Sequence, residues 1–291
     1  MRAIHQVLLA AMLSAATIAC AAAPAVRVSV PSLEQHRGQA LPLSGHWYAA
    51  EAAGRRPAVL LLHGCGGPYN GRGELSRRMR DYSALLNEQG WHVLVLDSLS
   101  TRGERELCTQ RIGTRAVTMA NRRLDALGAL AWLGQRADVD ASRLALIGWS
   151  NGGSTVLASS NLAHAEVAQA QPRPRALVAF YPGCEAELRR GYQPSAPLQL
   201  LVGAADDWTP AQPCEALAAA AAAAVAAPPA QIAIESYAGA YHGFDSQAPV
   251  KLRKDVPNGV HPGQGVHVGG NAAALAASRE RLLAFLKAQL Q

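Results

Sequence analysis

The chain has 291 residues, 49% of them hydrophobic and 16% charged, which gives apolar material for a large core and excludes a disordered or fibrous class. Its formal net charge is +6, yet the lysines and arginines are scattered and aromatics make up only 5%. A nucleic-acid surface wants a basic stripe interleaved with stacking aromatics, so no nucleic-acid partner is expected.

Arg2 precedes an apolar run over 7–18, and small residues reaching Ala25 satisfy an A-x-A cleavage rule. The run is shorter than the roughly twenty apolar residues that cross a bilayer, so no membrane span is expected. Residues 1–23 are instead expected to be a signal peptide, with export to the periplasm or beyond, and residues 24–291 a single domain that no Pro/Gly/Ser-rich linker divides. Thr17-Ile18-Ala19-Cys20 loosely resembles a lipoprotein cleavage site, but Thr17 stands where a larger aliphatic residue is usual. A lipid anchor at Cys20 is therefore the lesser alternative.

Beyond the leader, residues 26–30 and 46–50 read as two early edge strands. Residues 58–62 are a buried strand running into His63-Gly64-Cys65-Gly66-Gly67-Pro68. Leu75, Met79, Tyr82, Leu85 and Leu86 share one face of a helix over 74–89, which Gly90 ends. A strand over 93–96 leads to Asp97, and a polar loop carries Arg102 and Cys108. A helix over 114–135 follows, and then a strand over 144–147. Strands are further expected at 176–180, 198–202 and 232–236. Thr209-Pro210 reads as a helix start, residues 217–227 as an alanine-rich surface helix, and 250–270 as a long irregular loop. Asn271 caps a final helix that packs Leu275, Leu282, Leu286 and Leu290 on the sheet.

Continuously apolar strands alternating with helices mean a mostly parallel sheet covered on both faces, an α/β fold whose functional groups gather beyond the strands' carboxyl ends. The residues at those ends are 63–67, Asp97, Ser150, Asp206 and His242. Outside the leader stand Cys65, Cys108, Cys184 and Cys214, an even number that suggests two disulfides in an exported chain. Sequence alone does not choose among the three pairings. Cys65 with Cys108 and Cys184 with Cys214 is preferred, because each pair joins loops at the same sheet edge.

Gly148-Trp149-Ser150-Asn151-Gly152 is a G-x-S-x-G pentapeptide at the end of a buried strand. A sharp strand-to-helix turn strains the central residue and leaves no room for side chains two positions away, so the serine hydroxyl is pushed out of the sheet edge. A serine is a poor nucleophile until a base takes its proton, and histidine titrates near neutrality. The base in turn needs a carboxylate to fix its tautomer. Ser150, Asp206 and His242 occur in the chain order of α/β-hydrolase triads, each at a strand end. Asp97 is the fallback orienter, and Asp207 reads as a helix-start or substrate-loop charge. The oxyanion donors are expected to be the backbone N–H groups of Asn151 and Cys65. The glycine-rich loop does not read as a nucleotide site, since the third glycine of G-x-G-x-x-G is missing and no G-K-[ST] follows. His261 and His267 lie in the late loop, where no carboxylate partner is evident, so no metal is expected. Tyr69, Trp149, Trp208 and Phe244 are candidate walls of the substrate pocket.

The segments A-V-L-L-L-H-G-C-G-G, V-L-D-S, G-W-S-N-G-G, F-Y-P-G-C, G-A-A-D-D-W-T-P and Y-H-G-F, in this order over about residues 57–245, resemble the dienelactone hydrolase family of α/β-hydrolases, in particular its exported bacterial branch. That resemblance implies Ser150, Asp206 and His242 as triad and a cofactor-free, metal-independent hydrolase of small-molecule esters or lactones. The enzyme that named the family carries a cysteine where this chain has Ser150, which points away from dienelactone and toward ordinary carboxylic esters, cleaved through an acyl-enzyme. The alternatives are an acyltransferase or peptidase on the same fold, or a catalytically silent binding protein.

Overall fold

Apolar runs become the inner strands of one sheet in the computed structural model, which describes residues 25–51, 53–223 and 231–291. The expected leader, Cys20 and the end of the alanine-rich stretch lie outside the described residues. The strands are β1 (Val26–His36), β2 (Gln39–Tyr48), β3 (Arg56–Leu62), β4 (His92–Asp97), β5 (Val139–Trp149), β6 (Ala176–Phe180), β7 (Leu198–Gly203) and β8 (Ile232–Tyr237). They lie in the order β1-β2-β4-β3-β5-β6-β7-β8. β1/β2 and β2/β4 are antiparallel, and every other neighbouring pair is parallel.

The helices are α1 (Arg77–Asn87), α2 (Met119–Gly134), α3 (Asn151–Ser160), α4 (Ala165–Gln169), α5 (Glu185–Arg190), α6 (Gln212–Ala223) and α7 (Ala272–Leu290), with a 3₁₀ turn at Ser100–Arg102. Successive strand residues point to opposite faces. Leu60, Leu62, Leu144 and Leu146 accordingly meet α2, α3 and α6 in one core cluster, while Val59, Leu61, Ala145 and Ile147 meet α1 and α7 in the other. Fully burying one such side chain contributes about 1.5–3 kcal/mol, so two dry faces account for the unbroken apolar composition of these strands.

β5 runs longer than the expected strand over 144–147 and α1 shorter than the expected helix over 74–89, and other differences have local reasons. The two early strands run much further and form a hairpin, because exposed polar residues alternate with buried ones along them and break up the apolar signal. α2 begins only after Thr118, whose hydroxyl and Asn121 form a reciprocal capping box, and Val117 packs instead beside Cys65 and Cys108. Thr209-Pro210 does not start a helix, since the Thr209 hydroxyl is engaged elsewhere and α6 begins at Gln212. The expected irregular loop contains β9 (Lys251–Arg253) and β10 (Val266–Val268), a small antiparallel pair. Val268 of β10 bridges to His242.

The disulfides are Cys65–Cys108 and Cys184–Cys214, the preferred pairing. The first joins the loops after β3 and β4, and the second joins the start of α5 to α6. No helix among the described residues is long and apolar enough to cross a membrane.

Candidate active site

β5 ends in a turn that no ordinary residue pair would tolerate. Ser150 sits at φ 55° and ψ −119° between β5 and α3. A Cβ on Gly148 would lie 2.1 Å from the Gly152 carbonyl oxygen, and one on Gly152 would lie 2.1 Å from that of Leu62. Both contacts are far inside van der Waals distance, which accounts for the two flanking glycines.

The turn brings Ser150 to two residues 56 and 92 positions further along the chain. His242 Nε2 lies 2.8 Å from Ser150 Oγ, and His242 Nδ1 lies 2.9 Å from Asp206 Oδ2. Asp206 Oδ1 also accepts from the backbone N–H groups of Trp208 (2.8 Å) and Thr209 (2.9 Å). With its proton on Nδ1, His242 donates toward Asp206 and leaves Nε2 free to accept from the serine hydroxyl. Both Asp206 and His242 are buried, and the imidazole packs against the rings of Tyr181 (4.7 Å) and Trp208 (4.5 Å).

Arg122 spans the two segments expected to supply the oxyanion donors. Its guanidinium donates to the Asn151 side-chain oxygen and to the His63 carbonyl oxygen at 2.8 Å. Burial pulls its pKa down to about 10, against the opposing pull of Asp125 and Asp97. Cys65 is held from its other side, where its carbonyl accepts from Leu107 N–H at 2.7 Å and its sulfur is bonded to Cys108. A Cβ on Gly64 would come within 3.5 Å of Ser150 Cβ, so this loop abuts the serine. His63 points away, its ring accepting from Ser98 N–H and contacting the Gly64 carbonyl. Burial, reinforced by the Arg122 charge, lowers its pKa to about 3 and keeps it neutral.

Two of the four proposed wall residues border a cavity. Trp208 lines a cleft of about 600 Å³ together with Gly183, Thr209, Pro210 and the 257–262 segment. A smaller hollow of about 370 Å³ continues it past Asn151, Ser154 and Val117. Tyr69 borders a third hollow, beyond the oxyanion loop, and its hydroxyl bonds to His46. Trp149 and Phe244 do not line the cleft. Both are buried in the core under α1 and α7, and Trp149 stacks on Phe180. Trp149 is the last residue of β5, where strand alternation turns it to the core face, and Phe244, in the turn after His242, packs its ring on Tyr181 and Tyr237.

Asp97 bonds through Oδ1 to the N–H groups of Leu99 and Ser100, a local turn away from His242. Asp207 does not cap a helix. Its carboxylate takes both the ring and the backbone N–H of His267, which supplies the carboxylate partner that the sequence did not reveal. Among the described residues, no three His, Cys, Asp or Glu cluster as a metal would need.

Three supporting residues escaped sequence reasoning. Thr209 Oγ1 lies 3.1 Å from both Asp206 Oδ2 and His242 Nδ1 and donates to the Tyr181 carbonyl at 3.0 Å. Asp245 is buried with four donor atoms on its carboxylate: the Trp149 indole N–H, the Tyr181 hydroxyl and two Arg78 nitrogens. Burial opposes the charge on Arg78, but Asp245 outweighs it and holds the guanidinium pKa above its ordinary value. The one available signal was the position of Asp245, three residues beyond His242. Arg122 on a long helix carried none.

The model of the dienelactone hydrolase family matches residues 43–290. No curated protein matches the sequence at a significant level. Among solved structures, the chain is similar to the dienelactone hydrolase-like promiscuous phosphotriesterase P91 from metagenomic libraries, with TM-score 0.66, 18% identity, and coverage of 92% of this chain and 100% of that one. It is also similar to dienelactone hydrolase from Anabaena variabilis, with TM-score 0.61, 18% identity and coverage of 92% and 100%. Thermogutta terrifontis esterase 2, solved phosphorylated by paraoxon, gives TM-score 0.57 at 17% identity, with coverage of 89% and 92%. Identities this low show a shared fold, whereas the family model spans most of the sequence. The chain belongs to the dienelactone hydrolase family of α/β-hydrolases.

Proposed function

We propose that the protein is a serine hydrolase of carboxylic esters acting through an acyl-enzyme. The observation that carries this is the unbroken chain from Ser150 Oγ to His242 Nε2 at 2.8 Å and from His242 Nδ1 to Asp206 Oδ2 at 2.9 Å. Ser150 Oγ attacks the ester carbonyl carbon while its proton passes to His242 Nε2. Asp206 holds the imidazolium that forms. The carbonyl oxygen becomes an oxyanion that accepts from the N–H groups of Cys65 and Asn151, each such donor being worth about 3–4 kcal/mol in the transition state. Collapse breaks the C–O bond, and His242 returns the proton to the departing alcohol. Water then attacks the acyl-enzyme with His242 as base, releasing the acid and restoring Ser150. Lactones fit the same steps, with acid and alcohol leaving as one molecule.

Substituting Ser150→Ala is expected to cut kcat for p-nitrophenyl acetate by at least about 10³-fold while leaving the circular dichroism unchanged. A fluorophosphonate should label the wild-type serine and not the variant. Retained turnover, or labelling elsewhere, would overturn the assignment. Mass analysis of products with added alcohols or peptides separates hydrolysis from acyl transfer and from peptidase action. Export to an oxidising compartment is supported by the two disulfides and by the leader pattern at residues 1–23. Mass spectrometry of the mature N-terminus tests both cleavage and lipidation at Cys20.

A further inference from the structure

We infer that the mouth of the 600 Å³ cleft is a binding site for a bulky apolar or aromatic group of the ester, gripped between two apolar lips, Ile112 and Val260. This rests on the hydrolase chemistry proposed above and adds a substrate class to it. Ile112 is 73% exposed, the most exposed large apolar side chain among the described residues, and Val260 is 46% exposed. Single exposed apolar residues are ordinary on a protein surface. What distinguishes these two is that both border one cleft, alongside Pro257, Pro262 and Trp208. Prolines have no N–H to offer a polar ligand and little backbone freedom, so this wall is apolar and stiff.

The lips are also held at a set spacing. Asn258 accepts from Ile112 N–H at 3.1 Å and donates to the Gln110 carbonyl at 2.9 Å, tying one lip to the loop that carries the other. Val260 N–H donates to the Asp207 carbonyl at 2.9 Å, one residue from the triad carboxylate. A preformed site loses less ordering entropy on binding than a mobile one. Trp208 packs on His242, so a group lying between the lips and this indole is one ring away from the imidazole that bonds Ser150 Oγ. Arg111 and Glu185 border the same cleft with opposite charges, which leaves no single sign for a charged substituent to follow. A cleft of this volume is sized for a ring system, well beyond an acetyl or methyl group.

The test uses two pairs of esters in which intrinsic reactivity is matched. Methyl against 2-naphthylmethyl acetate varies the alcohol, and p-nitrophenyl acetate against p-nitrophenyl 2-naphthylacetate varies the acid. The bulky member of at least one pair is expected to show about ten-fold higher kcat/KM, carried by KM. In the double variant Ile112→Ser, Val260→Ser that ratio should fall by about ten-fold, again through KM. Both side chains are exposed, so the melting temperature should hold within a few degrees and a folding defect is separable. Ratios near one in both pairs, or a preference the double variant leaves intact, overturn the inference while fluorophosphonate labelling of Ser150 upholds the chemistry. Absence of both labelling and turnover would bring down the chemistry and the lips with it.

Discussion

Thr209 closes the acid end of the Ser150–His242–Asp206 chain. Its one hydroxyl proton has two acceptors in reach, the Tyr181 carbonyl and the Asp206 carboxylate, and the oxygen itself stands beside the Nδ1–H that His242 turns toward Asp206. The imidazole is thus kept in one plane and one tautomer without any contact to substrate. Thr209→Val keeps the shape and removes the hydroxyl, at a net worth of about 1 kcal/mol for one hydrogen bond, so kcat should drop about five-fold with KM little changed. Thr209→Ser should restore most of it, as steady-state kinetics on a p-nitrophenyl ester will show. Asp245 acts one step further back. It collects Trp149, Tyr181 and Arg78 on a single buried carboxylate and so registers the His242 turn against the ends of β5 and β6 and against α1. Asp245→Ala leaves a guanidinium and two neutral donors without an acceptor, and urea denaturation should show a loss of about 3–5 kcal/mol.

The loops at the carboxyl edge of the sheet form a connected ring. The loop after β3 is bonded to the loop after β4 by Cys65–Cys108 and by Leu107 N–H to the Cys65 carbonyl. The latter loop meets the 257–262 segment through Asn258, and that segment returns to Asp207 beside the proposed triad. Both the oxyanion donor proposed at Cys65 and the cleft wall at Ile112 hang from this one disulfide. By loop-closure entropy a cross-link over 43 residues contributes roughly 4 kcal/mol. Cys65→Ser with Cys108→Ser should therefore lower the stability measured by chemical denaturation by a few kcal/mol, and it should lower kcat for short esters as the oxyanion loop loosens. The pair Cys184→Ser with Cys214→Ser removes a link over 30 residues outside the oxyanion loop, and should cost similar stability with a smaller effect on kcat. A kcat equally reduced in both pairs would count against the link between Cys65 and the oxyanion.

Three histidines make the whole molecule sensitive to acid. Burial lowers the pKa of His46, His63 and His92, and that of His63 falls from 6.5 to about 3. A base with a depressed folded pKa stays neutral in the native state while the unfolded chain takes up its proton. Stability is then complete above pH 6.5 and is lost progressively as pH falls from there toward 3. His63 alone should cost about 2 kcal/mol between pH 7 and pH 5, at about 1.4 kcal/mol per pH unit below the unfolded value. Urea midpoints across that range measure it, and His63→Gln should flatten the dependence.

The inner strands, the two faces they bury and the order Ser150, Asp206, His242 were legible in the chain, because each rests on local patterning or on side chains at strand ends, whereas the disulfide pairing was a preference among three that only the structure decided. Early strand limits were obscured by alternation with exposed residues, and β9 and β10 were too short to leave a period. Thr209 looked like a helix cap, since Thr-Pro carries the same local signature whether its hydroxyl turns back to the helix or across to another strand. Trp149 and Phe244 looked like pocket walls, since an aromatic beside a functional residue faces cleft or core according to the packing of the strand or turn that carries it, which composition does not encode. His267 found its carboxylate 60 residues away in Asp207, and Asp245 found donors on three separate elements. Residue types and spacing thus pointed to the residues of the candidate site. Which buried groups support it is a matter of contacts between distant segments, and those come into being only when the sheet and its loops are assembled.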